Sequence, residues 1–261
     1  MANFFSRLRA WLTVPELRGL DDDDPRLTAL RRELILKHAF LRKIYERWYD
    51  LLSRALPAGK GPVLELGSGG GFFSSRYPDV ISSEVFYCPH VDVILDGQLL
   101  PFAPAGLRAI VLTNVLHHIP NVRAFFREAA RCVRPGGVIT MIEPWITRWG
   151  RFVYVRMHKE PFVLDAPEWE FPPGGPLSGA NGALPWIVLE RDRKQFDREF
   201  PQWRVTQIET MMPFAYLLSG GVSLRPLMPG WSFGLWAAFE KLFDSNKWGM
   251  AAQITLERTD R

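Results

Sequence analysis

The segment at 63–71, with the sequence VLELGSGGG, restricts the fold more than any other part of the chain. A short apolar run typical of a buried strand leads directly into a turn with four glycines. Glycine allows a tight turn and lets a ligand approach within van der Waals distance of the backbone, which a Cβ would prevent. A helix that follows such a turn points its first amides at the ligand. The segment therefore predicts a strand, a turn and a helix, with a ligand at the turn.

Short apolar runs and helical patterns alternate along the next part of the chain. The predicted strands lie at 63–66, 80–85, 91–95, 109–113 and 138–142. Before the last of them, a helix is predicted from the N-cap Asn121 to the stop at Pro135-Gly136-Gly137. Strands that alternate with helices indicate a mostly parallel sheet with helices on its faces, and hence an α/β fold.

The flanking regions differ in composition from this central region. Apolar residues recur at helical spacing over 26–55, which is predicted to be one helix within an N-terminal helical segment, 1–56. The remaining residues, 57–261, are predicted to form the main domain, with a charged helix at 189–199. Two segments rich in aromatic residues, proline and glycine, at about 144–188 and 211–247, are predicted to be insertions in that domain.

Composition excludes several classes of protein. The net charge of +4 is mild and the basic residues are scattered, so no nucleic-acid partner is expected. Cys88 and Cys132 are isolated thiols without the spacing of metal ligands, and no metal site is expected. Lone thiols are typical of a reducing compartment, and no uncharged run reaches the roughly 18 residues of a membrane span. The sequence thus favours a cytoplasmic protein.

Two kinds of ligand could use the glycine-rich turn. Phe72 stands at the sixth position from Gly67, where the dinucleotide-binding fingerprint requires a small residue. Glu65 precedes the first glycine by two residues, and a carboxylate there would repel a pyrophosphate and attract a cationic ligand. S-adenosylmethionine carries an ammonium and a sulfonium but no phosphate. The turn therefore favours S-adenosylmethionine over a nicotinamide dinucleotide.

Four segments together resemble a known family. They are VLELGSGGG (63–71), DGQLLPF (96–102), VLTNVLHHI (111–119) and AFFREAARCVRPGGVITMIEPW (124–145). In order and spacing they resemble the class I S-adenosylmethionine-dependent methyltransferases of the type-11 group. The resemblance implies a Rossmann-like seven-stranded sheet with helices on both faces, completed by an antiparallel pair near 203–208 and 251–256. It also implies that the N-terminal helices cover the cofactor site and that the two insertions roof the substrate pocket.

The resemblance also implies which residues bind S-adenosyl-L-methionine. Those around its methionine moiety would be Glu65, Gly67, Ser68, Gly69 and Gly71. Glu84, at the end of the second strand, would bind the ribose hydroxyls, although the short spacing from Gly67 requires very short helices there. Asp96 and the backbone at Gly97 would meet the adenine amino group. Asn114 would border the methionine end and the substrate.

Catalytic residues are harder to name, because methyl transfer is accelerated by proximity and alignment and needs a base only when the acceptor arrives protonated. His117 and Glu143 follow the fourth and fifth strands, and His158 lies in the first insertion, where substrate-facing groups are expected. These three are the catalytic candidates. The competing interpretations are that His117 and its neighbour His118 only form the pocket wall, and that His158 is an ordinary surface residue.

The second insertion suggests the class of acceptor. Residues 211–243 contain many large apolar side chains and only three charges. Either they pack on the domain or they form an apolar lid or exposed patch, which is typical of ligand or membrane contact. With the basic N-terminal segment carrying Phe4, Phe5 and Trp11, this favours a lipid or lipid-linked small-molecule acceptor and peripheral contact at the inner membrane face.

Three functions are thus weighed. The first is an S-adenosylmethionine-dependent methyltransferase, the second a non-catalytic methyltransferase-like module that binds a partner, and the third a nicotinamide oxidoreductase. Glu65, the glycines and Asp96 are all present, and a module without cofactor would not need them. Phe72 opposes the oxidoreductase. The sequence therefore favours the enzyme first named.

Overall fold

The structure is a computed structural model that describes residues 10–21, 23–158, 160–172, 174–175 and 178–260. Most of the predicted amphipathic N-terminal segment, including Phe4 and Phe5, lies outside these residues, and Trp11 within them is exposed. In the described part of the chain, no helix is long and apolar enough to cross a membrane.

Seven strands form one sheet within the described residues, in the order β3-β2-β1-β4-β5-β7-β6. Their bounds are β1 Val63–Leu66, β2 Val80–Glu84, β3 Val93–Ile94, β4 Leu107–Thr113, β5 Val133–Pro144, β6 Trp203–Met211 and β7 Ala251–Arg258. Strands β1 to β5 run parallel, whereas β7 runs antiparallel to both of its neighbours. All seven predicted strands are therefore present, and the predicted antiparallel pair is confirmed.

The order of the sheet reverses at β1. The chain first adds β2 and β3 on one side of β1 and then returns to place β4 on the other side. In an open α/β sheet, the connections leave such a reversal point on opposite faces and open a crevice at the carboxyl ends of the strands. The glycine-rich turn follows β1, so the topology places it at this crevice.

The α-helices of the described residues are short except near the N-terminus. They are α1 Pro25–Lys37, α2 Ala39–Arg54, α3 Phe73–Arg76, α4 Val122–Cys132, α5 Arg148–Met157, α6 Leu184–Trp186, α7 Arg193–Glu199, α8 Ala215–Ser219, α9 Phe233–Glu240 and α10 Ser245–Trp248. The segment predicted as one helix at 189–199 consists of two helices. A π-helical turn, Ile187–Arg191, ends at Asp192, and α7 begins at the next residue. The very short connection expected between β1 and β2 is the four-residue α3.

The single helix predicted over 26–55 is wrong in one respect, because it breaks at His38. Asp24 caps α1 by accepting a hydrogen bond from the backbone of Arg26 at 2.9 Å. His38 has an extended ψ of 99° and ends α1, after which α2 starts in a new direction. The break lets α2 pack on the sheet while α1 lies against the glycine-rich turn. A Cβ placed on Gly70 would come 2.8 Å from the backbone nitrogen of Arg32.

Two apolar layers cover the sheet, because successive side chains of a strand point to opposite faces. On one face, Leu64, Ile110 and Ile139 pack with helices α4, α6 and α7. On the other face, Val63 and Val111 pack with α2, α3 and α8. Helices therefore lie on both faces, which is the predicted Rossmann-like fold class.

The two aromatic-rich segments contain helices α5, α8, α9 and α10, and the second also contacts the N-terminal segment. The backbone of Val14 donates to Ser223 at 3.1 Å, and that of Arg225 donates to Leu12 at 2.8 Å. Thr13 and Leu224 thus form an isolated antiparallel bridge. This bridge joins the N-terminus to the second insertion across the crevice.

Candidate active site

A cavity of about 800 Å³ lies at the crevice beyond the carboxyl ends of the strands. Its wall includes nearly all of the residues that the sequence singled out: Glu65, Gly67, Ser68, Gly69, Gly71, Glu84, Asp96, Gly97, Asn114, His117 and His158. Glu143 is not among the lining residues. Residues separated by more than ninety positions in sequence therefore face one space, because parallel strands end at the same edge of the sheet.

The glycines of the turn serve different purposes. A Cβ on Gly67 would lie 2.6 Å from the Val115 side chain, and a Cβ on Gly71 would lie 2.6 Å from the Tyr49 hydroxyl. These two positions are closed by the protein's own packing. Gly69 differs, because it has a φ of +50° and a Cβ there would meet nothing nearer than 3.7 Å. Gly69 is therefore the glycine that leaves open space for a ligand.

Glu65 is the last residue but one of β1, and its carboxylate is buried beneath the turn. Its Oε2 accepts a hydrogen bond from the Ser68 hydroxyl at 2.8 Å. Burial raises the pKa of Glu65 to about 7, and the Ser68 hydrogen bond and the Arg32 charge only partly oppose this. Glu65 thus titrates close to neutral pH, and a cation bound beside it would favour the ionised form.

Glu84 ends β2 and stabilises the same turn from the other side. Its two oxygens accept hydrogen bonds from the backbone of Gly69 at 2.9 Å and of Val85 at 3.0 Å. Burial raises its pKa, against these hydrogen bonds. The ring of His90 lies 2.7 Å from the carbonyl oxygen of Gly69. His90 therefore braces the turn.

Asp96 is exposed at the rim of the cavity, in a turn stabilised by its own side chain. Its carboxylate accepts hydrogen bonds from the backbone of Gln98 at 2.8 Å and from the Gln98 side chain at 3.1 Å. Gly97 lies against β1, since a Cβ there would be 2.7 Å from the Leu66 side chain. An exposed carboxylate on a fixed turn is accessible to a ligand and is already oriented to accept its hydrogen bonds.

Asn114 follows β4 in the left-handed region, with a φ of +57°. Its backbone donates to Ile142 at 2.8 Å, which extends the pairing of β4 with β5 by one residue. A left-handed residue other than glycine costs about 1–3 kcal/mol and is concentrated at functional sites. The reversal at Asn114 leads the chain into a single 3-10 turn, Leu116–His118.

Glu143 stabilises this turn through hydrogen bonds to its backbone. Its side chain is fully buried, and Oε1 accepts hydrogen bonds from the backbone of Val115 at 2.8 Å and of Leu116 at 2.7 Å. The other oxygen, Oε2, lies 2.6 Å from Nδ1 of His117. The expected position of Glu143 on the pocket wall is thus corrected, since His117 stands between it and the cavity. Glu143 fixes the orientation of the histidine and contacts nothing in the cavity.

His117 and His118 are adjacent but differ in charge. Burial lowers the pKa of His117, but the carboxylates of Glu143 and Glu160 outweigh it and raise the value to about 9. Burial lowers the pKa of His118 to about 4, and the charge on His117 adds to this. At neutral pH, His117 is therefore a charged imidazolium with protons on both ring nitrogens, whereas His118 is a neutral imidazole with one. His117 in this state can donate a hydrogen bond but cannot act as a general base.

A family profile described as a methyltransferase domain matches residues 40–214, which is more than half of the chain. The chain belongs to this methyltransferase family. A curated demethylmenaquinone methyltransferase from Corynebacterium efficiens is 41% identical over 51 residues, which cover 20% of this chain and 22% of that protein. The match thus spans about a fifth of that relative.

The chain is also similar to solved structures. A chain from the complex of a methyltransferase activator with a methyltransferase of Haloferax volcanii aligns with a TM-score of 0.50 at 13% identity, covering 92% of this chain and 100% of that one. Geranyl diphosphate C-methyltransferase from Streptomyces coelicolor aligns with a TM-score of 0.47 at 12% identity, covering 84% and 81%. That enzyme was solved with S-adenosyl-L-homocysteine. The similarity to the chain from the Haloferax volcanii complex shows only that the two chains share a fold.

The predicted methyltransferase family and its cofactor, S-adenosylmethionine, are confirmed by the family profile, and the predicted Rossmann-like fold is confirmed by the seven-stranded sheet. The alternative of a nicotinamide oxidoreductase is therefore wrong.

Two residues on the wall of this methyltransferase's cavity were missed in the sequence. Glu160 lies 3.6 Å from Nε2 of His117, although 43 positions separate them. Arg31 reaches the cavity from α1, and its Nε is buried without a hydrogen-bond partner. Among the residues that the structure describes, no carboxylate pairs with Arg31. Neither belongs to a motif, so only the position of Arg31 on a helix predicted to cover the cofactor site could have indicated it.

Replacing Glu143 tests whether it organises the methyltransferase's site. Glu143→Gln removes a buried charge that interacts with two backbone amides and with His117, so we expect the free energy of unfolding to fall by about 3 kcal/mol. Denaturant unfolding followed by circular dichroism measures this. Glu168→Gln, at an exposed position in the first insertion, is the matched control and should change stability by less than about 0.5 kcal/mol. Equal stability of the two variants would contradict the role given to Glu143.

Proposed function

We propose that this methyltransferase transfers a methyl group from S-adenosylmethionine to an acceptor with a substantial apolar part, such as a lipid or a lipid-linked small molecule. One observation carries the proposal. The cavity joins a polar half, formed by the glycine turn and its carboxylates, to an apolar half formed by the N-terminal segment and the second insertion. A pocket of this size lies within the usual range of about 300–1,000 Å³ for small-molecule sites.

The polar half fits the cofactor. Open space over Gly69 would admit the methionine moiety, and Glu65 beneath the turn would attract its ammonium group. Glu84 would accept hydrogen bonds from the ribose, and the Asp96-Gly97 turn at the rim would meet the adenine. Ser68 would support Glu65, to which its hydroxyl donates. The geometry supports the assignment, since all of these residues line the same cavity.

Arg31 completes the polar half in this proposal. The methionine end of the cofactor carries a carboxylate as well as an ammonium, and a guanidinium binds a carboxylate through two parallel hydrogen bonds. Arg31 lines the cavity near the glycine turn and has a buried nitrogen without a partner. We assign it to the cofactor carboxylate. Residues 1–56 would then contribute to binding as well as cover the site.

When bound, S-adenosylmethionine supplies a methyl group activated by the sulfonium. The chain's own task is to align the acceptor and exclude water, which can provide much of the rate. Asn114 lines the cavity and would border the methionine end of the cofactor and the acceptor, and His117 can donate a hydrogen bond to the acceptor. His158 is exposed on the cavity wall beside Glu160 and is the remaining candidate base for an acceptor that arrives protonated.

The other half of the cavity would take the acceptor. It is lined by apolar side chains, among them Leu12, Leu17, Leu20, Ile35, Val222 and Leu224. A largely apolar wall favours an acceptor that is largely hydrocarbon at this end. The curated relative from Corynebacterium efficiens is named for a demethylmenaquinone, and its name agrees with this class of acceptor.

An apolar face lies outside the cavity on the second insertion. Trp231, Leu235, Phe239 and Leu242 are 76%, 67%, 44% and 79% exposed, and they recur at helical spacing along α9 and its ends. Trp236, from the same segment, instead packs on the core. Exposed Lys43, which donates to the carbonyl of Gly230, lies beside this face. Apolar residues bordered by a lysine suit an anionic lipid surface. We propose that this face rests on the membrane from which the acceptor is taken.

The first test measures binding of S-adenosylhomocysteine by calorimetry. Gly69→Val fills the open space and demands a strained backbone, so binding should be abolished. Asp96→Ala removes a charged acceptor worth about 1.5–3 kcal/mol, so affinity should fall roughly ten- to hundredfold. Gly234→Ala, whose Cβ would meet nothing within 4 Å, is the control and should bind normally. Normal binding by Gly69→Val would mean that the turn is not the cofactor site, and no binding by the unmodified protein would favour a non-catalytic module.

The second test uses the titration of Glu65. Its pKa of about 7 in the free protein means that the carboxyl group is mostly protonated at pH 5.5 and mostly ionised above pH 7. The ligand's ammonium favours the ionised form, so affinity for S-adenosylhomocysteine should rise about tenfold or more from pH 5.5 to pH 7.5. Glu65→Gln should bind more weakly and lose most of this rise. A pH profile identical in both proteins would remove Glu65 from the ammonium site.

The third test concerns the membrane. Vesicles of phosphatidylcholine with phosphatidylglycerol should co-sediment the unmodified protein. Replacing Trp231, Leu235 and Leu242 with serine should weaken this by at least tenfold, about 1.4 kcal/mol. Val155→Ser with Val163→Ser, which removes exposed apolar groups elsewhere, is the control and should sediment normally. If the unmodified protein stays in the supernatant with these vesicles, the membrane part of the proposal is wrong.

A further inference from the structure

Three potential metal ligands meet on the wall of the cavity. His117, His118 and Glu160 each offer one ligand atom, and these atoms lie within 4.8 Å of one another. His117 is buried, whereas His118 and Glu160 are half-buried and face the cavity. The two imidazole rings are 4.3 Å apart between centroids. The cluster lies outside the glycine turn and its carboxylates, so the cofactor assignments do not account for it.

Hydrogen bonds on the far side of each ring fix which nitrogen faces the cluster. Nδ1 of His117 lies 2.6 Å from the Glu143 carboxylate, and Nδ1 of His118 lies 3.2 Å from the carbonyl oxygen of Gly179. A carbonyl oxygen and an ionised carboxylate can only accept, so both Nδ1 atoms donate. Nε2 of each ring is then the nitrogen that can offer a lone pair. Metal-binding histidines almost always have such a partner for the other nitrogen.

The spacing within the cluster suits a bound ion better than a direct hydrogen bond. Nε2 of His117 is 3.6 Å from Oε2 of Glu160, which is longer than the usual limit of about 3.2 Å for a nitrogen–oxygen hydrogen bond. Two ligands at about 2.1 Å from a tetrahedral ion lie roughly 3.4 Å apart. Rotation of the half-buried Glu160 carboxylate would close the wider separations. The proton on His117 and a metal ion are alternatives for the same Nε2, and the ion would displace the proton.

We infer that Nε2 of His117, Nε2 of His118 and the carboxylate of Glu160 bind a divalent transition-metal ion, with Glu143 as the positioning residue behind it. Two imidazoles and one carboxylate suit ions such as Zn²⁺, Fe²⁺ or Co²⁺, whereas Mg²⁺ prefers oxygen ligands. No metal site was expected from the sequence, because the third ligand is distant along the chain from the two adjacent histidines.

Three protein ligands leave at least one position of the ion open. The cluster borders the cavity, so this position would be available to an oxygen atom of the acceptor, such as a hydroxyl or a carboxylate. This use of the ion rests on the proposed function, whereas the binding of the ion does not. The acceptor would then combine a hydrocarbon part with an oxygen ligand close to the atom that is methylated.

The test titrates chelator-treated, full-length protein with Zn²⁺ alone, in the absence of cofactor and acceptor. Calorimetry should give one ion per chain, and Co²⁺ should produce the visible spectrum of a site with nitrogen ligands. Glu160→Gln and His118→Gln should each weaken Zn²⁺ binding by at least a hundredfold, and Glu143→Gln by about 10–100-fold. Glu168→Gln, which alters an exposed glutamate outside the cluster, should bind Zn²⁺ normally. Mg²⁺ should compete poorly.

Two results would overturn the inference. One is no saturable binding of Zn²⁺ by the unmodified protein, and the other is unchanged binding by both Glu160→Gln and His118→Gln. Circular dichroism shows whether each variant folds, and the Co²⁺ spectrum of the unmodified protein tests the ligands without any substitution. Glu160→Gln should keep normal affinity for S-adenosylhomocysteine. Loss of the metal site would therefore leave the proposed methyl transfer standing, and failure to bind S-adenosylhomocysteine would leave the metal site standing.

Discussion

The buried carboxylate of Glu143 is the interaction on which the arrangement of the site depends. One of its oxygens joins the end of β5 to the backbone that follows β4, by accepting two hydrogen bonds. Its second oxygen orients the ring of His117. A buried charge is costly unless it is fully satisfied, so the two amides and the imidazole must stay in place around it. The reversal at Asn114 and the position of His118 follow from the same turn. The site is thus fixed by a residue that does not reach the cavity.

The sheet could be predicted from the sequence because its signals are local. Apolar runs and glycine stops mark each strand, and the motifs of the resemblance give their order. Details that depend on distant packing could not be read in this way. The break at His38 comes from the need for α1 to reach Gly70, and no proline or glycine marks it. The split at Asp192 is similar, since Asp192 binds the ring nitrogen of Trp169, at 2.8 Å, from a separate segment.

The residues of the candidate site could likewise be predicted only where they belong to a sequence motif. Residues in motifs, such as Glu65 and Asp96, line the cavity where expected, because their positions follow from the ends of strands. Glu143 was placed next to the cavity by the same rule, but the rule does not say which side of the strand end a side chain takes. Glu160 and Arg31 come from segments without a motif. Their relevance depends on three-dimensional proximity, which spacing along the chain does not encode.

The bridge between Thr13 and Leu224 has a consequence for the timing of events in the cavity. Its two backbone hydrogen bonds are together worth roughly 1–3 kcal/mol, so thermal motion breaks them often. Both sides of the bridge line the wall of the cavity. A ligand that entered or left between these two sides would then have to open this gate first. Such a gate favours an ordered cycle, in which the spent cofactor leaves only after the product has cleared the opening.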